Sequence, residues 1–188
     1  MWRPPEEIKA DLNSGVARRI TEGLRDLEEY MESMVDEFEL PPLETRLLKP
    51  FGDSPPKEVL LAFARLLAGY PSFRPKLSRD EILYRLAELA VTYGNQRVAF
   101  DAAMQVKQDN TPTAKVPTVL NRLHSRGLHS EREVTGAGHY LSSLLDGRPQ
   151  VRAATLAALE GWKQGLLLKA VERIRPELEP NEAKQLFP

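Results

Sequence analysis

Apolar side chains recur along this chain at intervals of three and four, the repeat of a helix with one buried stripe, and no stretch alternates convincingly as a strand would. The first run carries Ile8, Leu12, Val16, Ile20, Leu24, Leu27, Met31, Met34, Val35 and Phe38. It predicts one long helix, opened by Pro4-Pro5, with Glu6 and Glu7 at the positive end of its dipole, and closed by Pro41-Pro42. A second run, VLLAFARLLAGY, is apolar almost all round and predicts a core helix behind a Ser54 cap with Pro55 and Pro56 in its first turn. Ser78, Arg79, Asp80 and Glu81 form a capping box ahead of ILYRLAELAVTY. Gly94-Asn95 separates that helix from RVAFDAAMQVKQ, in which Val98, Ala102 and Val106 share an inner face with Phe100 and Met104 beside it.

Proline and glycine punctuate the rest. Asp109-Asn110-Thr111-Pro112 ends the preceding helix, and Val116-Pro117 opens a short one with Val119, Leu120 and Leu123 inward. Gly127 is its left-handed cap. Ser130 and Glu133 repeat the capping-box pattern and predict another helix, weakened at Gly136 and Gly138 and resumed through Leu145. A last helix starts at Pro149 and runs through VRAATLAALEGWKQGLLLKAVERI with Trp162 as its buried anchor, before Pro176 and Pro180 break the pattern. The expected fold is therefore an all-α multi-helix bundle with a long acidic N-terminal helix. The proline-rich stretch 41–56 sets a boundary between an arm, residues 1–45, and a helical domain, residues 46–188.

Composition narrows the class. The 188 residues suffice for one core-bearing domain with an extension, and the absence of cysteine excludes disulfides and thiolate chemistry. The N-terminus lacks a basic segment followed by an apolar run, and no stretch approaches the ~20 apolar residues that span a bilayer, so a cytoplasmic protein with no membrane contact is expected. The net charge of −1 hides an asymmetry: residues 1–45 carry 12 acidic against 5 basic side chains, and residues 46–188 carry 21 basic against 15 acidic. An acidic arm beside a basic body can shield a polyanion-binding surface or recruit a basic partner, and it can equally be a solvated face with no partner. The arm's spacing also suits pairing with a second copy, so a homo-oligomer is expected.

Catalytic chemistry leaves little trace. His124, His129 and His139 fall close together, but their spacing is not that of a helical zinc site, and ordinary polar histidines account for them. The paired carboxylates crowd the arm as a solvated face. Gly136-x-Gly138 has neither a strand before it nor Gly-Lys-Ser/Thr after it, and no Gly-x-Ser-x-Gly is present. A non-enzymatic protein without cofactor or metal is expected.

The positive signal is a basic bias in residues 74–134. Between residues 74 and 132 ten Lys and Arg face six acids. Lys115, Arg122, Arg126 and Arg132 bracket one short helix and its turn, where Thr118, Asn121 and other hydroxyl and amide groups add neutral donors. Such groups grip phosphates and read base edges. They also make an ordinary polar exterior for a short helix.

The stretch from Tyr93-Gly94 through Lys115-Val116-Pro117-Thr118-Val119-Leu120-Asn121-Arg122-Leu123, Gly127-Leu128 and Ser130-Glu131-Arg132-Glu133-Val134 resembles the DnaD-like domain of bacterial and phage replication initiators and helicase loaders. The likeness covers a quarter to a third of the chain. Val119-Leu120, Gly127 and Ser130 fit the family pattern, while Lys115 stands where an aromatic residue is expected and Leu123 where a Trp is. The resemblance implies an all-α, DNA-associated adaptor that contacts a replication protein such as a helicase, the arm serving oligomerisation or partner contact. The same residues also resemble a winged-helix transcriptional regulator, with residues 117–126 as recognition helix, Thr118, Asn121 and Arg122 facing the major groove, and Gly136 to Gly138 turning the wing. Helix after Ser130 favours the first and a hairpin the second. A helical protein-interaction subunit without nucleic-acid contact is the third class.

Overall fold

The computed structural model describes residues 3–30, 47–52, 55–69 and 78–188. The chain divides into two compact units, Met1–Arg79 and Asp80–Pro188. The boundary expected at residues 45 and 46, and the arm from residue 31 onward, lie outside the described residues. Every α-helix and 3-10 turn described is helical structure and no strand occurs among the described residues, as the all-α reading requires.

In the first unit, α1 (Pro5–Leu12) and α2 (Ala17–Tyr30) replace the single long helix that periodicity predicts. Leu12, Val16 and Ile20 keep helical spacing across the break, which hides it, but Asn13-Ser14-Gly15 is a turn. Gly15 sits at φ +69°, where other residues are strained, and Val16, counted as inward, is 50% exposed. Ser14 closes the elbow by donating to the Asp11 carbonyl and accepting from the Val16 amide. The acidic outer face is partly compensated: Arg3 reaches Asp11 at 2.7 Å and Asp26 at 2.5 Å, and Arg18 pairs with Glu22. Asp11, nearly buried, also takes Arg19 at 2.9 Å. A 3-10 turn (Lys49–Phe51) and α3 (Lys57–Gly69) complete the unit. Its core joins Ile8, Ile20, Leu24 and Leu27 to Val59, Phe63 and Leu66, all essentially sealed from solvent.

The second unit holds α4 (Arg79–Tyr93), α5 (Gln96–Lys107), α6 (Pro112–Arg126), α7 (Glu131–Leu145), α8 (Pro149–Leu159), α9 (Gly165–Arg173), a 3-10 turn (Arg175–Glu177) and α10 (Pro180–Leu186). α7 is central, packing on α5, α8 and α9, and α6 packs on α8. The start at Gln96 holds, and Asn95, read only as a break, supplies its cap by accepting from the Val98 amide; Ser130 caps as read, accepting from the Glu133 amide at 3.2 Å. Glu133 does not complete a box on Ser130; its carboxylate takes the His129 amide instead.

Five expectations change. α6 opens at Pro112, not at Val116-Pro117, because Pro112 fits the first helical position while Pro117 is absorbed inside, giving up the bond its amide would make. The last helix breaks at Gly161-Trp162 into α8 and α9, with Gly165 at φ +59°, and Pro180 starts α10 where it was read as a breaker. Phe100 is 44% exposed, on the outer side of α5. α7 runs unbroken through Gly136 and Gly138, so the wing of the regulator reading is not formed there. Those glycines serve a crossing: a Cβ on Gly136 would lie 2.5 Å from the Ala90 carbonyl oxygen and 2.8 Å from the Val91 Cα, so α7 meets α4 backbone to backbone.

Candidate functional site

The residues singled out for DNA contact gather on α6 and the first turn of α7, facing α4. Their inner neighbours Val116, Val119, Leu120 and Leu123 are fully buried, which fixes α6 in rotation. Thr118, Asn121, Arg122 and Ser125, spaced three and four apart, therefore share one outward face. Asn121, Arg122 and Ser125 are exposed and Thr118 is half-buried, its hydroxyl donating to the Ala114 carbonyl.

Along the flank of that face runs a line of ion pairs to α4. Lys115 Nζ meets Asp80 at 2.5 Å, and Arg122 Nη1 meets Glu81 at 2.6 Å. The Arg122 guanidinium also lies 3.8 Å over the Tyr84 ring. Burial pushes the Glu81 carboxyl up, but the hydrogen bond and charge of Arg122, then those of Arg85, outweigh it and hold the carboxyl below its ordinary range. The Tyr84 hydroxyl donates to Glu88 at 2.8 Å, and burial with that bond raises its pKa to about 12.

Arg126 is wrapped completely. Its Nε meets Glu88 at 3.2 Å, Nη1 meets Glu133 at 2.7 Å and the Gly127 carbonyl at 2.9 Å, and Nη2 donates to Thr92 Oγ1 at 3.0 Å. Its side chain is only 18% exposed, and Glu133 is a buried carboxylate. Arg132 turns to the same corner, its Nε donating to the Thr92 carbonyl at 3.1 Å. Both cations close the α4–α6–α7 joint. The α4 carboxylates are what sequence reasoning missed: Asp80 and Glu81 read as helix-start residues, and their spacing from Glu88 by seven and eight positions, two helical turns, is the signal that places all three on one side.

The histidines do not converge. His124 Nε2 lies 3.1 Å from the Gly161 carbonyl, tying α6 to the corner between α8 and α9, and His129 is exposed. Burial lowers the His139 pKa, with Arg173 adding to it. Among the described residues no three His, Asp or Glu side chains assemble as a metal-ligand set. Elsewhere in the unit a shallow cleft of about 270 Å³ is lined by Phe100, Ser142, Ser143, Leu145, Asp146, Arg152 and Glu177. Arg152 is held there by Glu182 at 2.7 Å and by the Leu145 and Glu177 carbonyls, and this clamp lowers the Glu182 pKa to about 2.

Residues 80–188 carry 14 Lys and Arg against 13 Asp and Glu, so the excess of the basic body resides mainly in residues 46–79. No helix among the described residues is long and apolar enough to cross a membrane. No protein-family model, curated protein or solved structure matches this chain.

Proposed function

We propose that the chain is a non-enzymatic, DNA-associated adaptor of the replication-initiation type, touching nucleic acid through the outward face of α6. The observation that carries this reading is the shared outward stripe of half-buried Thr118 and exposed Asn121, Arg122 and Ser125 on a helix whose other side is sealed in the core. An amide, two hydroxyls and a guanidinium on one helix face suit phosphate and base-edge contacts. The contact set is narrower than the basic count: Arg122 and Asn121 lead, Thr118 and Lys115 flank them, and Arg126 and Arg132 support the frame. A helicase or similar replication protein as partner, a homo-oligomer through the arm, and a cytoplasmic location belong to the same proposal.

Fluorescence anisotropy of labelled duplex and single strands tests it, with salt varied between about 50 and 200 mM. Intact chain should bind more tightly at low salt, and Asn121→Ala with Arg122→Ala should weaken binding about 10-fold while leaving the melting temperature nearly unchanged. No binding at the lowest salt would turn the assignment to the second reading, a helical protein-interaction subunit. The near balance of charge in residues 80–188 and the exposed Phe100 favour that alternative.

A further inference from the structure

We infer that Asp80 and Glu81 act as built-in competitors for a polyanion, holding Lys115 and Arg122 against α4 until phosphate displaces them. The inference rests on the DNA-contact reading of α6 and concerns its regulation. Both contacts are short, 2.5 Å and 2.6 Å, and both join residues more than thirty positions apart on different helices. The contrast with Arg126 in exposure is clearest at the guanidinium: Arg122 is 42% exposed against 18% for Arg126, while Lys115, at 23%, pairs with an Asp80 that is 44% exposed. A solvated ion pair such as Arg122–Glu81 contributes little to stability, about 0–1 kcal/mol, so exchanging its carboxylate for a phosphate is nearly neutral for the fold; Lys115–Asp80 is the more enclosed of the two. Arg122 is also presented for exchange: its stack on Tyr84 keeps the guanidinium plane in place when Glu81 lets go. The Glu81 carboxylate has a second cation, Arg85 at 3.1 Å, so it is not left unpaired on release.

Each cation freed to meet phosphate releases about one counterion, so unmasking two of them steepens the dependence of log affinity on log salt by about two. The test compares the intact chain with Asp80→Asn/Glu81→Gln, using a labelled duplex and a single strand by anisotropy, with circular dichroism melting alongside. A charge-matched control, Glu160→Gln/Glu172→Gln, removes two exposed acids from α8 to α9 instead. The unmasked variant should bind about 10-fold more tightly at low salt, with the steeper slope, while the control gains about 3-fold or less and keeps the original slope. Adding Arg122→Ala to the double variant should abolish most of the gain. Equal gains in the unmasked and control variants, or a gain that survives Arg122→Ala, would overturn the competitor role while leaving DNA contact standing. Failure of both the intact chain and the unmasked variant to bind would remove the DNA reading itself.

Discussion

Two arginines one turn apart on α6 use the same chemistry to different effect. Near Gly127, Arg126 makes four hydrogen bonds or ion contacts with α4, the turn and α7, and the carboxylates around it are buried or partly buried. Toward the helix middle, Arg122 has one short carboxylate contact, one aromatic face and open solvent. A guanidinium saturated with partners locks a joint; one that is half-paired can change partners. Residue type is the same at both positions, and only the number of partners and the burial separate structure from availability.

Substitutions at the two positions should therefore separate in kind. Arg126→Ala strands the buried Glu133 and removes one partner of the half-buried Glu88, and should cost about 2–4 kcal/mol, read as a loss of midpoint in urea unfolding, with no specific change in DNA affinity for the fraction that stays folded. Gly136→Ala sharpens the frame side of the contrast: its Cβ would meet α4 main chain at 2.5–2.8 Å, which nothing flexible can relieve, and a loss of about 1–3 kcal/mol by the same measurement is expected. The Arg152–Glu182 clamp gives a saturated pair far from α6. With its pKa lowered from 4.5 to about 2, Glu182 contributes stability that is fully present above pH 4.5 and is lost as pH falls toward 2. Glu182→Gln should flatten that part of the acid-unfolding curve by about 1 kcal/mol. Arg122→Ala should move stability least, by less than about 1 kcal/mol, while lowering DNA affinity. A large loss of stability from Arg122→Ala, or none from Arg126→Ala, would erase the distinction between the two arginines.

The helical class and most helix starts were legible because they are local: Asn95 and Ser130 cap where their side chains meet amides three residues on, and Pro149 begins α8. Errors came where periodicity bridged a turn. Leu12, Val16 and Ile20 stayed in phase through the Gly15 elbow, and the run around Trp162 stayed apolar through the α8–α9 corner. Pro112 and Pro117 offered two helix starts, and only packing of Val116 and Val119 decides that the first is used. The site was half legible. Thr118, Asn121 and Arg122 fall on one face by spacing alone, but the carboxylates that occupy Lys115, Arg122 and Arg126 come from a helix about thirty-five to forty positions earlier, and pairing across such separation leaves no local signature.

The corner between α8 and α9 has a practical consequence. Trp162 is 1% exposed there and its indole nitrogen finds no partner among the described residues, so the ring sits in an apolar setting. The chain has two tryptophans, and replacing Trp2 by Phe would leave Trp162 as the only indole emitter. Its fluorescence then gauges the Asp80–Pro188 unit alone, emitting at short wavelength while the corner holds and shifting to the red when water enters. The molecule thus carries its own optical reporter for telling a variant that loosens the frame from one that changes only what α6 can touch.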